Sequence, residues 1–569
     1  MKRIFALLLA CIMVLSLFAG CGGTTEESTP VSSAPEAVSE PVEAPEEAPA
    51  EEPAPEASAA EEPVAEPEPV VVEYPLCEPG EVELEVYMAM AGFIPMVIPD
   101  VANVGFDETR GMKLAEEATG VDLKWTLIDQ DAYAEKFSIV VASGDFPDYF
   151  STPDSYVSGG IDALVDNEIC IDLAPMIDTC MPDFKAAVYS EIEDYRKAIT
   201  SDTGKIVTIY NFERQSTIGQ YIRMDWLDKL GLEVPSTYDE LYDVLTAFKN
   251  DGVAYPMLLT QTWCYSNNML SGGFDTSNWG TESDLSYFVE DGKVQAGVLS
   301  KNYKEYIEML NKWFSEGLIG EPTLNIVNIQ NINEYLLSNQ CGFGCGQSDS
   351  LGESAIASAG GDYNMRAIPF ITREEGGTFK LYKNAGQPGT GGWAVTTACE
   401  EPEIAAKVIN WFWTEEGYTA LNFGIEGETY NVVDGEVVFT DIVTANPNGF
   451  PAMFNTCSEI AFFDIPFDFS MERKAATFSN EAEMEAQEVW RSNTSNEMRY
   501  FGSLSIEESE TYTSMAGDLA TLAAENISKF VSGDRPMSQW DSFLEELKEM
   551  GIEDCIAIKQ AAYDRYMAR

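Results

Sequence analysis

Apolar and polar residues alternate from Val82 onward: Val82, Leu84, Val86, Met88 and Met90 share one face of an extended chain, which predicts a strand. Asp107 then precedes a helical stretch, Glu108 to Gly120, with the glycine placed to cap its carboxyl end. Val121, Leu123, Trp125 and Leu127 alternate as a second strand. A second helix is predicted from Asp131, as its amino-terminal cap, to Gly144, followed by a short buried strand around Tyr149 and Phe150. Strand, helix, strand, helix, strand at this spacing predicts parallel β-α-β units, and in such sheets ligands sit beyond the carboxyl ends of the strands. Phe150, Ser151 and Thr152 therefore fall at the edge of a candidate cleft.

Farther on, Met224 to Leu230 reads as a short helix closed by Gly231. Thr237 and Glu240 form a capping box for the next one, whose core face is Leu241, Val244, Leu245 and Phe248. The run from Gly391 to Tyr430 predicts a strand, a helix started by Pro402, a break at Thr414–Gly417 and a second helix. From about Glu481 to the end the apolar spacing is mostly helical, and no period of 20–50 residues marks a repeat architecture.

The amino-terminal pattern is different in kind. Lys2 and Arg3 precede an apolar run from Ile4 to Leu17, too short for a good membrane span and shaped like a secretory signal. Ala19-Gly20-Cys21 resembles a bacterial lipobox, with Phe18 where leucine is usual, so Cys21 is the expected lipidation site after removal of residues 1–20. Leu9-Ala10-Cys11 is a poorer candidate, and an ordinary cleaved signal is the alternative. Gly22 to Pro75 holds about fifteen acidic residues, no lysine or arginine, and repeated Pro, Ala and Ser. Such a segment has too little apolar surface to offset the entropy of ordering. At roughly 3.1 Å per residue it would act as an extended tether on the order of 100 Å long.

Composition narrows the function classes. The formal net charge of −63 argues against nucleic acid and anionic lipid surfaces as partners and suits a soluble exported body. The chain has no histidine, which removes Ser-His-Asp and Cys-His nucleophile systems and histidine-ligated zinc. Apart from Cys11 and Cys21, nine cysteines remain of the eleven, an odd number without a dense disulfide pattern. Cys341 and Cys345 lack a second close pair to complete a metal site and read as small buried hydrophobes.

Several stretches together resemble one family: "LAEEATGVDLKWTLI", "IVVASGDFPDYF", "IRMDWLDKLGLEVPSTYDELYDVLTAFKND" and "ACEEPEIAAKVINWFWTEEGYTALNFGIEGETY". They are similar to the large extracellular solute-binding lipoproteins of carbohydrate ABC transporters, family 1 type, from about residue 80 to the end. The resemblance implies an α/β fold of the periplasmic-binding-protein type II class, with two lobes, a hinge between them and a ligand cleft at their interface. It places the lobes at 76–210 with 391–465 and at 211–390 with 466–569, following the tether at 21–75. The crossings are expected near Tyr210–Gln220, Ala385–Trp393 and Asp464–Ser470. Many relatives look as if they carry a calcium loop after the Thr237-capped helix. Here Phe248–Met257 offers Asn250 and Asp251, too few oxygens for a calcium shell, so no metal is expected.

A sugar-binding cleft needs aromatic planes and convergent polar groups. Gln261, Trp263 and Tyr265 supply both in one run, unless that run is a loop with core-packed rings. Asn278 and Trp279 lie among Gly and Ser, and Trp393 follows the Gly-rich approach to an expected crossing. Tyr221 and Arg223 stand beside another crossing, where Arg223 either faces the cleft or holds the short helices by a salt bridge. With Ser151 and Thr152 these are the candidate ligand residues. Trp411 and Trp413, inside an apolar helix, read as core. The resemblance implies a monomeric, lipid-anchored binding protein outside the cell, without chemistry or cofactor of its own. It would bind an oligosaccharide and pass it to ABC transporter permease subunits, with no nucleic-acid partner. A peptide-binding or sensory protein of the same fold, or a secreted glycan-active enzyme, is the alternative.

Overall fold

The computed structural model describes residues 70–91, 94–99, 101, 105–213, 218–259, 270–276, 285, 287–326, 330–381, 388–445, 452–496 and 502–569. Its first sheet has five strands in the order Val121–Asp129, Val82–Met90, Tyr149–Ser151, Gly392–Val395, Thr208–Tyr210. Val82–Met90 runs parallel to both neighbours, pairing Val82 with Val121 and Val86 with Tyr149. Gly392–Val395 runs antiparallel between Tyr149–Ser151 and Thr208–Tyr210. The expected β-α-β units are therefore present, joined by the helices Arg110–Thr119 and Gln130–Ser143. Gly120 and Gly144 end these helices in the left-handed conformation that glycine adopts most easily. The second helix is capped by Asp129 rather than Asp131, because the Asp129 carboxylate accepts the Asp131 N–H at 3.0 Å.

Both faces of this sheet are covered. Leu84, Val86 and Met88 enter one large core with Trp393, Trp411 and Phe412. Tyr87, Phe150 and Ala394, on the opposite face, join Tyr133 and Phe137 in a smaller core. Two-sided burial is what a parallel sheet flanked by helices requires.

A second sheet, in the order Met365–Ile368, Ile218–Arg223, Cys341–Gln347, Tyr255–Met257, organises the other large core. The helix Tyr238–Asn250 begins with the expected capping box, and all four expected core residues, Leu241, Val244, Leu245 and Phe248, are buried in it. Each such side chain stabilises the fold by about 1.5–3 kcal/mol relative to exposure. The helices Ile506–Ser532, Trp540–Glu549 and Ile552–Ala568 close over this core. The eight described cysteines are free thiols, all buried except half-exposed Cys77.

The chain leaves the first core after Phe212 and re-enters it before Trp393. It leaves again later than expected. Phe467 lies in the first core, with Phe469 and Ala476 packed on it, whereas Ala482 belongs to the second. The physical reason is a two-residue parallel pairing of Asp468–Phe469 with Phe212–Glu213, which holds the third crossing segment on the first side. Asn211 knits all three crossing segments. Its N–H donates to Gly391 O at 2.7 Å, and its carbonyl accepts from Gly389 N at 2.8 Å. Its side-chain amide donates to Phe463 O at 2.6 Å while its Oδ1 accepts from Gly391 N at 3.2 Å.

Candidate functional site

The strands Tyr149–Ser151 and Thr208–Tyr210 end at the same edge of the first sheet, where the crossing segments meet. Thr152 follows immediately with φ = 44°, a left-handed conformation costly for a β-branched residue. Its N–H donates to Gly392 O at 3.1 Å, which fixes the strained turn against the second crossing. Asp154, in the next turn, accepts hydrogen bonds from Thr208 Oγ1 at 2.5 Å and Tyr210 Oη at 2.6 Å, tying that turn to the neighbouring strand end. Tyr156 then presents its ring to solvent, 38% exposed, backed by Tyr133 and Phe137 with centroids 4.9 and 5.8 Å away.

Asp464 arrives from the third crossing. It is half-buried, and its Oδ1 accepts a hydrogen bond from Thr390 Oγ1 at 3.3 Å. Burial pushes its carboxyl up to about 6, with the Thr390 hydrogen bond pulling the other way. Burial, and then the charge of Asp464, also raises the Tyr156 phenol, so ring and carboxylate lie within electrostatic reach of each other. An accessible ring within electrostatic reach of a carboxylate that is bonded to the Thr390 hydroxyl offers chemistry that suits a polyhydroxylated solute, a flat apolar face and a hydrogen-bond acceptor.

Of the residues expected in the cleft, Ser151 and Thr152 are at this edge, largely buried. Three others have structural roles instead. Trp393 is fully buried among Tyr149, Phe412 and Trp125, with ring centroids 5.0, 5.4 and 5.8 Å away. Tyr221 is fully buried in the second core, its hydroxyl 3.5 Å from Ser350 Oγ. Arg223 is buried, bonded to Asp225 at 2.8 and 2.6 Å and to Asn339 Oδ1 at 2.7 Å, its guanidinium over the rings of Trp226 and Tyr363. Of its two readings, the salt bridge is the one seen. Gln261, Trp263, Tyr265, Asn278, Trp279 and Cys21 lie outside the described residues. At the place of the calcium loop, Asp251 pairs with Lys229 and Lys249 donates to Glu316 O. Among the described residues no three acidic or cysteine side chains converge as metal ligands.

Tyr156, Asp154, Thr390 and Asp464 were not among the expected residues. A signal for one of them exists: "FFDIPFDFS" sets Asp464, with Asp468, in a strongly apolar run, where a carboxylate needs a reason.

The family model described as bacterial extracellular solute-binding protein matches residues 105–419, more than half of the chain. The chain belongs to that family. This solute-binding protein is 24% identical over 494 residues to the fructooligosaccharide ABC transporter substrate-binding protein FusA of Streptococcus pneumoniae, covering 80% of this chain and 86% of that one. It is 26% identical over 365 residues to Lipoprotein LipO of Bacillus subtilis, covering 62% and 69%. The crystal structure of the alginate-binding protein AlgQ2 superposes with a TM-score of 0.69 at 21% identity, over 87% of this chain and 100% of that one. The fold of the solute-binding protein is thus the two-lobed α/β architecture expected from its sequence.

The site's burial has a consequence for stability. Asp464 and Glu116 are both raised mainly by burial, to about 6 and about 7 from ordinary values of 3.8 and 4.5. The folded state binds these protons more tightly than the unfolded chain, so the stabilisation is fully present below the ordinary values and is lost as pH rises through the raised ones. Calorimetry without ligand is expected to give a higher melting temperature at pH 5.5 than at pH 8; the opposite slope would contradict the burial of both carboxyls.

Proposed function

We propose that the protein captures an oligosaccharide outside the cell and delivers it to the permease subunits of an ABC importer, anchored by lipid at Cys21 and working at the end of the acidic tether. The observation that carries this reading is the meeting of the Tyr156 ring, the Asp464 carboxylate and the Thr390 hydroxyl where the sheet edge joins the three crossing segments. The names of FusA, which refers to fructooligosaccharide, and of AlgQ2, which refers to alginate, support the ligand class. The lipobox-like Cys21 and the name of LipO support the anchor.

The crossing segments act as the hinge. A ligand that touches both lobes only in the closed form shifts the open–closed equilibrium by the difference in its affinities for the two states, and the permease reads the closed form.

The test is a glycan and peptide panel on the mature chain, read by melting temperature and calorimetry, with chromatography of the ligand afterwards. At least one oligosaccharide is expected to raise the melting temperature and be recovered intact. Tyr156→Ala is expected to weaken it by about tenfold, the scale of one aromatic contact. Stabilisation by peptides alone, or cleavage of the glycan, would sink the proposal. Cys21→Ser is expected to release the protein from membranes into the medium.

A further inference from the structure

We propose that this site selects neutral oligosaccharides and rejects uronic-acid glycans, with Asp464 as the residue that makes the choice; the inference rests on the oligosaccharide reading above. Among the described residues, the Asp464 carboxylate has a single hydrogen-bond partner, the Thr390 hydroxyl at 3.3 Å. Its remaining acceptor positions match hydroxyl donors, which every neutral sugar ring carries. A uronate offers a carboxylate in place of a hydroxymethyl group, and two carboxylates in a half-buried site repel each other strongly.

The surroundings act in the same direction. Asp154, already holding Thr208 and Tyr210, adds a second negative group to the same edge. Among the described residues, two arginines beside the crossings are committed elsewhere: Arg223 to Asp225 and Asn339, Arg473 to the carbonyls of Leu421 and Ala461. Tyr156 contributes an uncharged plane, suited to the C–H face of a sugar ring. At longer range, a net charge of −63 disfavours the approach of any polyanion.

The test uses the mature chain and matched tetramers: α-1,4-linked galactotetraose against tetragalacturonate, and mannotetraose against tetramannuronate, by calorimetric titration at pH 7.5. A neutral member is expected to bind and its uronate counterpart to bind on the order of 100-fold more weakly, the scale of like charges juxtaposed in an interface. Asp464→Asn is expected to shrink that ratio to about tenfold or less without lowering the melting temperature, since the amide keeps the carboxyl's shape and removes a charge that burial disfavours. If that variant folds poorly, Asp464→Ser supplies the same comparison. A uronate that binds the native chain as tightly as its neutral counterpart overturns the selectivity and leaves the oligosaccharide reading standing. A ratio unchanged in the variants overturns the role of Asp464. Failure of both series, with no other glycan of the panel binding, overturns both readings.

Discussion

Replacing Arg473 by alanine is expected to cost about 3–5 kcal/mol of stability. The guanidinium is buried, and it donates to Leu421 O at 2.7 Å and Ala461 O at 2.8 Å. It also lies over the rings of Phe469 and Phe467, 4.9 and 5.9 Å from their centroids. Burial lowers its pKa to about 10, which still leaves it charged at neutral pH. The two carbonyls belong to segments distant in sequence: one in the helix Glu415–Phe423, the other just ahead of the third crossing. Truncation leaves both carbonyls without a donor, at about 1–3 kcal/mol each, and opens a cavity beneath the phenylalanines. Arg473→Met separates these contributions, since it fills most of the volume and supplies no donor. Calorimetry should show the loss in the transition of the first core. A shift of less than about 1 kcal/mol in the alanine variant would mean that water replaces the guanidinium at those carbonyls.

The local grammar of this fold was legible in the sequence. The Thr237–Glu240 box, the glycine caps at 120, 144 and 231, the break at Thr414 and the buried face of Tyr238–Asn250 all follow from spacings of a few residues. Such signals are set by backbone chemistry and one amphipathic face, so they survive without knowledge of tertiary contacts. The site was only half legible. Ser151 and Thr152 were placed at the sheet edge because strand ends are readable from local patterns, and the structure puts them at that edge. Trp393 was misplaced because the glycines before it read as a flexible, exposed approach. In the structure they mark tight contact instead: a Cβ on Gly392 would lie 2.7 Å from Ile209 O. Tyr221 sits on a strand with sheet neighbours on both sides, and which face of such a strand meets the core depends on elements remote in sequence. Asp464 reaches the site through the pairing of two-residue strands 256 positions apart, a contact that no local period encodes.

The same glycines carry the remaining prediction. Gly391→Val is expected to lower ligand affinity at least about tenfold and stability by about 2–4 kcal/mol. A Cβ at 391 would lie 2.2 Å from the Asp464 Cα and 2.4 Å from its carbonyl carbon and oxygen. These are backbone atoms, so no rotamer change relieves the clash, and the second and third crossings must move apart. That movement strains both hydrogen bonds between Gly391 and Asn211 and draws Asp464 away from Thr390. Gly517→Ala is the control: it lies in the helix Ile506–Ser532 with open space at its Cβ, and is expected to stabilise by about 0.5–1 kcal/mol. If Gly391→Val instead binds ligand like the native chain, the close approach of the crossings does not position Asp464. If affinity falls as expected, the glycines at this hinge work by letting three strands touch rather than by loosening them. Lobe closure would then turn about a packed pivot, with the carboxylate proposed to bind ligand carried on the pivot itself.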